Sequence, residues 1–289
     1  MFKRFLLGAL VIVTAWIAFE WITWPDVGKL AKEEPRTTAF MEQRRKELRR
    51  EGKDDRIDYT WVSYGRIAPS LRRAVLVAED NEFYEHSGVD VKAMQEAIKK
   101  DWEKKRITQG GSTITQQLAK NLFLSSSRNP IRKLKEYLLA RSLENHLTKK
   151  RILELYLNVV EMGERVYGAE AAAQYYFHEP ASALSPQQAA LLAGCLPNPR
   201  AMNPAQPNRR LRSRQSMILS RMRRWGDLFE KEVLTAPKPV APPAAPTETV
   251  APATDTDLAP TETTKTTATT ETAPTETTET TPSPPTTTT

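Results

Sequence analysis

Apolar residues recur at spacings of three and four over residues 71–79, 92–102, 113–124, 131–147, 149–160, 168–177, 186–194 and 208–224, the period of an amphipathic helix. Strand-like alternation is weak, so the pattern predicts a mainly α domain from residue 66 to residue 235. About 170 residues of helix can bury one sizeable core, and the separate groups of short helices predict two lobes with a cleft.

Two stretches break this period. Phe5 to Trp24 is apolar apart from Thr14, Glu20 and Thr23, and it follows Lys3 and Arg4. Its length fits a membrane-spanning helix of roughly 20 residues, with the basic flank left in the cytoplasm. A cleaved secretory signal is the rival, but its apolar core would be shorter and would end in a small-x-small site. Here bulky Phe19, Trp21 and Trp24 occupy the exit, which favours an uncleaved anchor. From Ala236 onward the chain is almost entirely Thr, Pro, Ala and Glu, with no aromatic residue, a composition that predicts a disordered tail. Degenerate Pro-Thr-Glu-Thr units at 246–249, 260–263 and 274–277 mark it as low-complexity. The expected organisation is a cytoplasmic stub and transmembrane anchor at 1–25, a juxtamembrane connector at 26–60, the folded domain at 61–235 and the tail at 236–289.

Charge sharpens this picture. Two lysines against seven acidic residues put −5 on the tail, which leaves +12 on the preceding 235 residues for the chain's net +7. A basic domain beside a membrane anchor points to anionic lipid head groups or a phosphate-bearing substrate, and the anchor argues against nucleic acid. Arg44, Arg45, Lys46, Arg49 and Arg50 predict a basic juxtamembrane helix, lying on lipid or simply solvated. The one cysteine, Cys195, cannot form an intramolecular disulfide and reads as a buried small residue.

Residues 109–121 run from a glycine pair into a helix start dense in uncharged hydrogen-bonding side chains. Ser112 or Thr113 can cap that helix, and the Thr113 to Gln116 spacing fits a capping box. Thr113, Gln117, Lys120 and Asn121 fall along one stripe and Ile114, Leu118 and Leu122 along a neighbouring apolar one. The polar stripe can hold a polar, anionic ligand.

Three further groups carry candidate chemistry. The apolar run Leu71 to Ala78 ends directly in Glu79, with Asp80, Glu82, Glu85 and His86 following before Gly88. A solvated helix end accounts for so many acids; alternatively, a carboxylate at the edge of an apolar wall has a raised pKa and suits a general base or acid. Glu154 is flanked by apolar residues and shares a face with Lys150, Arg151 and Asn158, which permits either an intrahelical ion pair or a catalytic carboxylate. Arg132 and Glu136 stand one turn apart; as more than surface decoration, Arg132 with Lys120 would supply two cations for a diphosphate leaving group, with Glu136 holding Arg132. His86, His146 and His178 show no metal-ligand spacing, there is no Ser-x-x-Lys for a penicillin-sensitive acyl transfer, and no phosphate-binding glycine loop of the Walker or GxGxxG type is present.

Four motifs in order then carry a resemblance: Glu79-Asp80-x-x-Phe83-x-x-His86-x-Gly88; Gly111-Ser-Thr-Ile-Thr-Gln-Gln117 with Lys120-Asn121; Arg132-Lys133-x-x-Glu136; and Lys149-x-x-Ile152-Leu-Glu154-x-Tyr156-Leu-Asn158. They resemble the successive motifs of the peptidoglycan glycosyltransferases, the family shared by bifunctional penicillin-binding proteins. Tyr167-Gly-Ala-Glu-Ala-Ala-Ala and Gln188-Ala-Ala-Leu-Leu-Ala193 resemble its closing segment, with Gln188 in place of the usual Glu. With an anchor in front and no transpeptidase behind, the chain resembles the monofunctional biosynthetic transglycosylases of that family, found in Gram-negative bacteria.

The resemblance implies a two-lobed, partly lysozyme-like helical fold and a membrane enzyme of the cell inner membrane, single-pass and facing the periplasm. Its implied substrates are lipid II and the nascent glycan strand, with membrane lipids and other cell-wall synthesis or division proteins as further partners. By that analogy Glu79 is the base that takes a proton from the 4-hydroxyl of the incoming sugar. Lys120 and Arg132 stabilise the departing diphosphate, Thr113 and Gln117 orient the substrate, and Glu154 positions diphosphate-binding groups or a cation. Asp80, Phe83, His86, Ser112, Asn121 and Glu136 complete the implied substrate site. No covalently bound cofactor and no protein-held metal are expected, while Mg²⁺ or Mn²⁺ on the diphosphate is compatible with carboxylate and phosphate oxygens. A wall-cleaving glycosidase is the rival enzyme, disfavoured because neutral sugar links give Lys120 and Arg132 nothing to neutralise; an inactive membrane-anchored scaffold is the rival from another class.

Overall fold

Helices form across every described stretch where the apolar period predicts them. The structure is a computed structural model and describes residues 2–89, 111–127 and 129–235. The helix expected at 92–102, the pair Gln109 and Gly110 and the tail from 236 lie outside the described residues. The helices are α1 (Phe2–Ile22), α2 (Ala39–Arg50), α3 (Pro69–Glu79), α4 (Ile114–Phe123), α5 (Pro130–His146), α6 (Lys149–Val159), α7 (Ala169–Phe177), α8 (Pro186–Cys195) and α9 (Arg209–Thr235). Local sequence sets their starts. Thr38, Thr113, Thr148 and Ser185 each accept a backbone N–H as N-caps of α2, α4, α6 and α8. Proline opens α3, α5 and α8, where its missing N–H costs nothing.

Two helix groups share one apolar core. α3 packs on α8 and α9, and α4 packs on α5 and α6. Leu71 and Val75 of α3, Leu118 of α4, Leu143 of α5, Tyr156 of α6 and Leu192 of α8 all lie in that continuous core. Burying side chains of that size contributes on the order of 2 kcal/mol each, which fixes the ends of α3 and α4 relative to α6.

The weak strand signal corresponds to very short strands: β1 (Asp58–Tyr59), β2 (Glu161–Gly163) and β3 (Val166–Tyr167). Among the described residues they form one sheet in the order β1-β3-β2, β1 parallel and β2 antiparallel to β3. Asp58 stands opposite Val166 and Tyr59 opposite Tyr167. Gly168 follows β3 with φ 83°, and a Cβ there would stand 2.2 Å from the Asn158 carbonyl oxygen, so the chain needs glycine on both counts.

The basic helix of the connector is α2, and it turns one arginine inward. Arg44 is buried and binds Glu164 at 2.6 Å and Glu47 at 3.2 Å, while α2 packs against α4. Met41 and Leu48 of α2 are buried on the same helix, so apolar packing together with the Arg44 pairs holds this basic helix in the folded body. α1 covers the stretch expected to be an anchor, and among the described residues no helix is long and apolar enough to cross a membrane. Glu20, near the end of α1, pairs with Lys135 of α5 at 2.6 Å.

Candidate active site

α3 ends where its apolar face ends. Asp80 leaves the helix with φ −158° and ψ 85°, so Glu79 is the last helical residue and its side chain lies at the edge of the core. Gln117, on the first turns of α4, donates from Nε2 to Glu79 Oε2 at 3.0 Å. Tyr156 of α6, fully buried, donates its hydroxyl to Gln117 Oε1 at 2.8 Å. With its oxygen so occupied, the Gln117 amide can only present its NH₂ to Glu79. Burial pushes the Glu79 carboxyl above the usual glutamate range, against the Gln117 hydrogen bond and the charge of Arg214, whose Nη2 stands 3.9 Å from Oε1.

The next residue fixes the start of α4. Asp80 is buried, and its Oδ2 accepts from the Ile114 N–H at 2.9 Å, at the positive end of the helix. His86 Nε2 stands 3.0 Å from Asp80 Oδ1, and the Gly88 N–H donates to His86 Nδ1 at 3.2 Å. Both bonds are satisfied by the tautomer with the proton on Nε2. Phe83 is buried edge-on to His86, with Lys149 Nζ 4.5 Å above its ring. Lys149 in turn binds Glu144 at 2.7 Å, and Glu144 accepts from Thr115 at 2.6 Å. The Thr113 hydroxyl donates to the Gly88 carbonyl at 2.7 Å and accepts from the Gln116 N–H at 3.2 Å, closing the capping box the sequence predicts. Thr113 is thus committed to the backbone around α4.

A cationic end adjoins this. Lys120, one turn beyond Gln117, lies 5.4 Å over the Phe40 ring of α2. Burial lowers its pKa, and the charges of Glu136, Arg132, Lys133 and Glu79 all act on it. Arg132 donates to Glu136 at 2.6 Å, as the i,i+4 spacing predicts, and Lys133 reaches the other oxygen of the same carboxylate. Glu136 is buried, while Arg132 Nε is buried without a partner among the described residues. Lys133 also donates to Ser112 at 3.1 Å, which ties α5 to the approach of α4. Asn121 is buried on α4 beside Lys120.

The structure therefore joins Glu79, Gln117, Lys120, Arg132 and Glu136 electrostatically, with Asp80, Phe83 and His86 packed behind them. Glu154 faces elsewhere. Its Oε1 accepts from the Tyr64 N–H at 2.7 Å and its Oε2 binds Arg151 at 2.8 Å, the intrahelical pair its spacing permits. Arg151 also holds the carbonyls of Leu30 and Glu33, both at 2.8 Å. Asn158 exchanges hydrogen bonds with both backbone groups of Val62 at 2.9 Å. Glu154 and Asn158 together fix the segment entering α3. Among the described residues no group of three His, Cys, Asp or Glu side chains is arranged to hold a metal ion.

Two contributors were not singled out by the sequence reading. Tyr156 lay inside a motif, and its apolar neighbours gave it the signature of a core residue. Arg214 is one of several arginines on a long amphipathic helix, and nothing in that pattern separates an inward arginine from a solvated one. Gln188, where the related pattern carries Glu, accepts from the Ser185 N–H at 2.8 Å in the capping box of α8. Either Gln or Glu fills that position in a capping box.

Comparison with known proteins identifies the family of the chain. The family described as Transglycosylase matches residues 45–223. A biosynthetic peptidoglycan transglycosylase of Laribacter hongkongensis is 48% identical over 188 residues, 65% of this chain and 82% of that protein. Proteins of the same description from Nitrosomonas eutropha and Methylobacillus flagellatus are each 43% identical; these alignments cover 75% and 77% of this chain, and 86% and 96% of theirs.

Proposed function

The chain belongs to the transglycosylase family of peptidoglycan glycosyltransferases, and on that premise we propose that it polymerises lipid II into glycan strands with release of undecaprenyl diphosphate. The observation that carries this reading is the largely buried carboxylate of Glu79, oriented by Gln117 and within the charge of Lys120, which in turn feels Arg132 and Glu136. A glycosidase has use for the carboxylate; it has none for two cations placed to meet a leaving diphosphate.

In this reaction the 4-hydroxyl of the incoming lipid II sugar loses its proton to Glu79. Its oxygen then forms a bond to C1 of the terminal MurNAc of the growing strand. The bond from C1 to the diphosphate oxygen breaks on the opposite face, so the anomeric centre inverts. Lys120 and Arg132 stabilise the charge that develops on the diphosphate, and Glu136 keeps Arg132 extended toward it. Asp80, His86 and Thr113 serve by holding α4, which carries Gln117 and Lys120. Glu154 serves by fixing Tyr64 and Arg151. Glu136, the carboxylate beside the cations, is bound by Arg132 and Lys133, a donor set unsuited to a protein-held metal. A Mg²⁺ or Mn²⁺ ion would come on the substrate's diphosphate, and no step here depends on it.

The same reading sets the catalytic domain at the cell envelope, on the periplasmic side of the inner membrane, with the apolar run Phe5 to Trp24 as its expected attachment. The one acidic residue of that run, Glu20, is neutralised by Lys135 at the end facing the domain.

The test is lipid II turnover by detergent-solubilised wild type and Glu79→Gln, with products separated by length. Long glycan from the wild type and none from Glu79→Gln is expected. Cleavage of preformed glycan without polymerisation would overturn the reading in favour of a hydrolase.

A further inference from the structure

α9 carries Arg214 and Arg221 two turns apart on one face, and each donates to a carbonyl in the last turn of a neighbouring helix. Arg214 Nε reaches the Gly194 carbonyl of α8 at 2.9 Å, and Arg221 reaches the Val77 carbonyl of α3 at 3.1 Å. Carbonyls at those positions have no amide partner within their own helices. The approach to α8 is close: a Cβ on Gly194 would stand 2.9 Å from Leu211 Cδ1. α9 is thus set against both helix ends, and the Nε bond orients the Arg214 guanidinium.

From that anchorage Arg214 Nη2 stands 3.9 Å from Glu79 Oε1. This is too long for a hydrogen bond and short enough for strong Coulomb attraction in a partly buried site. The two carboxylate oxygens consequently differ. Oε2 holds the Gln117 amide, while Oε1 faces a cation across a gap and accepts no hydrogen bond among the described residues.

We propose that Arg214 is a positioning residue for the reaction read above: held by the Gly194 carbonyl, its guanidinium keeps Glu79 Oε1 charged and open to receive the proton of the incoming hydroxyl. The proposal rests on that functional reading. The groups that act on Glu79 are Asp80 beside it, Gln117 and Lys120 of α4, Tyr156 of α6, Cys195 of α8 and Arg214 of α9. Of the two cations among them, Lys120 is assigned to the diphosphate, which leaves Arg214 to offset the burial of the base. A direct Arg hydrogen bond would occupy the lone pair that the hydroxyl proton must reach. A cation 3.9 Å from Oε1 supplies charge without taking up that lone pair.

The experiment measures kcat and KM against pH for full-length, detergent-solubilised wild type, Arg214→Gln and Arg214→Lys, with lipid II as substrate and thermal unfolding alongside. Arg214→Gln is expected to move the acidic limb of kcat/KM upward by about one pH unit. Arg214→Lys, which restores the charge, should bring the limb back toward the wild-type position. An unmoved limb in a folded Arg214→Gln, with kcat reduced equally at every pH or KM raised alone, overturns the proposal and leaves Arg214 a structural or substrate-binding residue. Should Arg214→Gln fail to fold, Arg214→Met is measured in its place: a raised limb supports the proposal, and an unmoved limb overturns it. Absence of polymer from the wild type overturns the functional reading and this proposal together, a result distinct from an unmoved limb.

Discussion

Gln117 donates to Glu79 at 3.0 Å through an amide that has no freedom to turn over. Tyr156 fixes the other end of that amide from within the core, so the direction of the hydrogen bond on the carboxylate is set by a residue that never meets solvent. Removing the phenol oxygen should release the amide. Tyr156→Phe is expected to keep its ring packing, to lose about 1 kcal/mol of stability from the missing bond, and to lower kcat about tenfold or more with little change in KM. Steady-state kinetics with denaturant unfolding on the same preparation check both halves. Unchanged kcat beside reduced stability would deny Tyr156 any part in orienting Glu79.

Glu79 itself should display a conflict between stability and activity. Its folded-state pKa is raised by burial, so the favourable contribution belongs to the protonated form: it is present below the unfolded glutamate value of 4.5 and lost as pH rises through the folded value. At neutral pH the ionised carboxylate therefore costs stability. Glu79→Gln should melt higher than wild type at pH 7, by about 2–4 °C for about 1 kcal/mol, and the difference should shrink as the pH approaches 4. Activity should fall by about 10²- to 10⁴-fold at neutral pH, the usual worth of a general base. Calorimetry across pH tests the first statement and glycan assay the second.

The basic limb of the pH profile should come from Lys120. Burial holds its pKa below the usual lysine value of 10.5, and the working form is the charged one, so activity should fall as pH rises through that lowered value. Together with the Glu79 acidic limb this gives a bell-shaped kcat/KM profile. Lys120→Arg keeps its charge far above that range and should flatten the basic limb while losing rate through altered geometry. Lys120→Met should lose about 10²- to 10³-fold in kcat, comparable to losing one donor to a developing oxyanion. A basic limb that persists unchanged in Lys120→Arg would assign it to another group.

The helices, the Thr113 capping box and the Arg132–Glu136 pair were legible in the sequence because each depends on spacing along one helix. The roles of Glu154 and Thr113 were less so, since both depend on backbone far away in sequence. Glu154 meets the Tyr64 N–H and Thr113 meets the Gly88 carbonyl, contacts that no periodicity encodes. Arg214 was hidden for the opposite reason: its helix is so rich in arginine that the one turned toward Glu79 carries no local mark. Gln188, which departs from the related pattern, is explained by local capping chemistry alone.

Asp80 connects two things that must arrive together, the end of α3 with its base and the start of α4 with Gln117 and Lys120. Its carboxylate accepts from the Ile114 N–H and holds His86, and both partners are polar groups with little access to water. Asp80→Ala would leave the first amide of α4 and the His86 ring without their acceptor, at a cost of about 2–4 kcal/mol for the two. Asp80→Asn keeps an oxygen for one of them and should cost about half as much. Because Asp80 acts through α4, the loss of activity should track the displacement of α4: in Asp80→Asn, amide exchange at Ile114 to Gln117 should accelerate in step with the fall in kcat. Normal exchange protection in α4 together with lost activity would instead make Asp80 a group that touches the substrate directly.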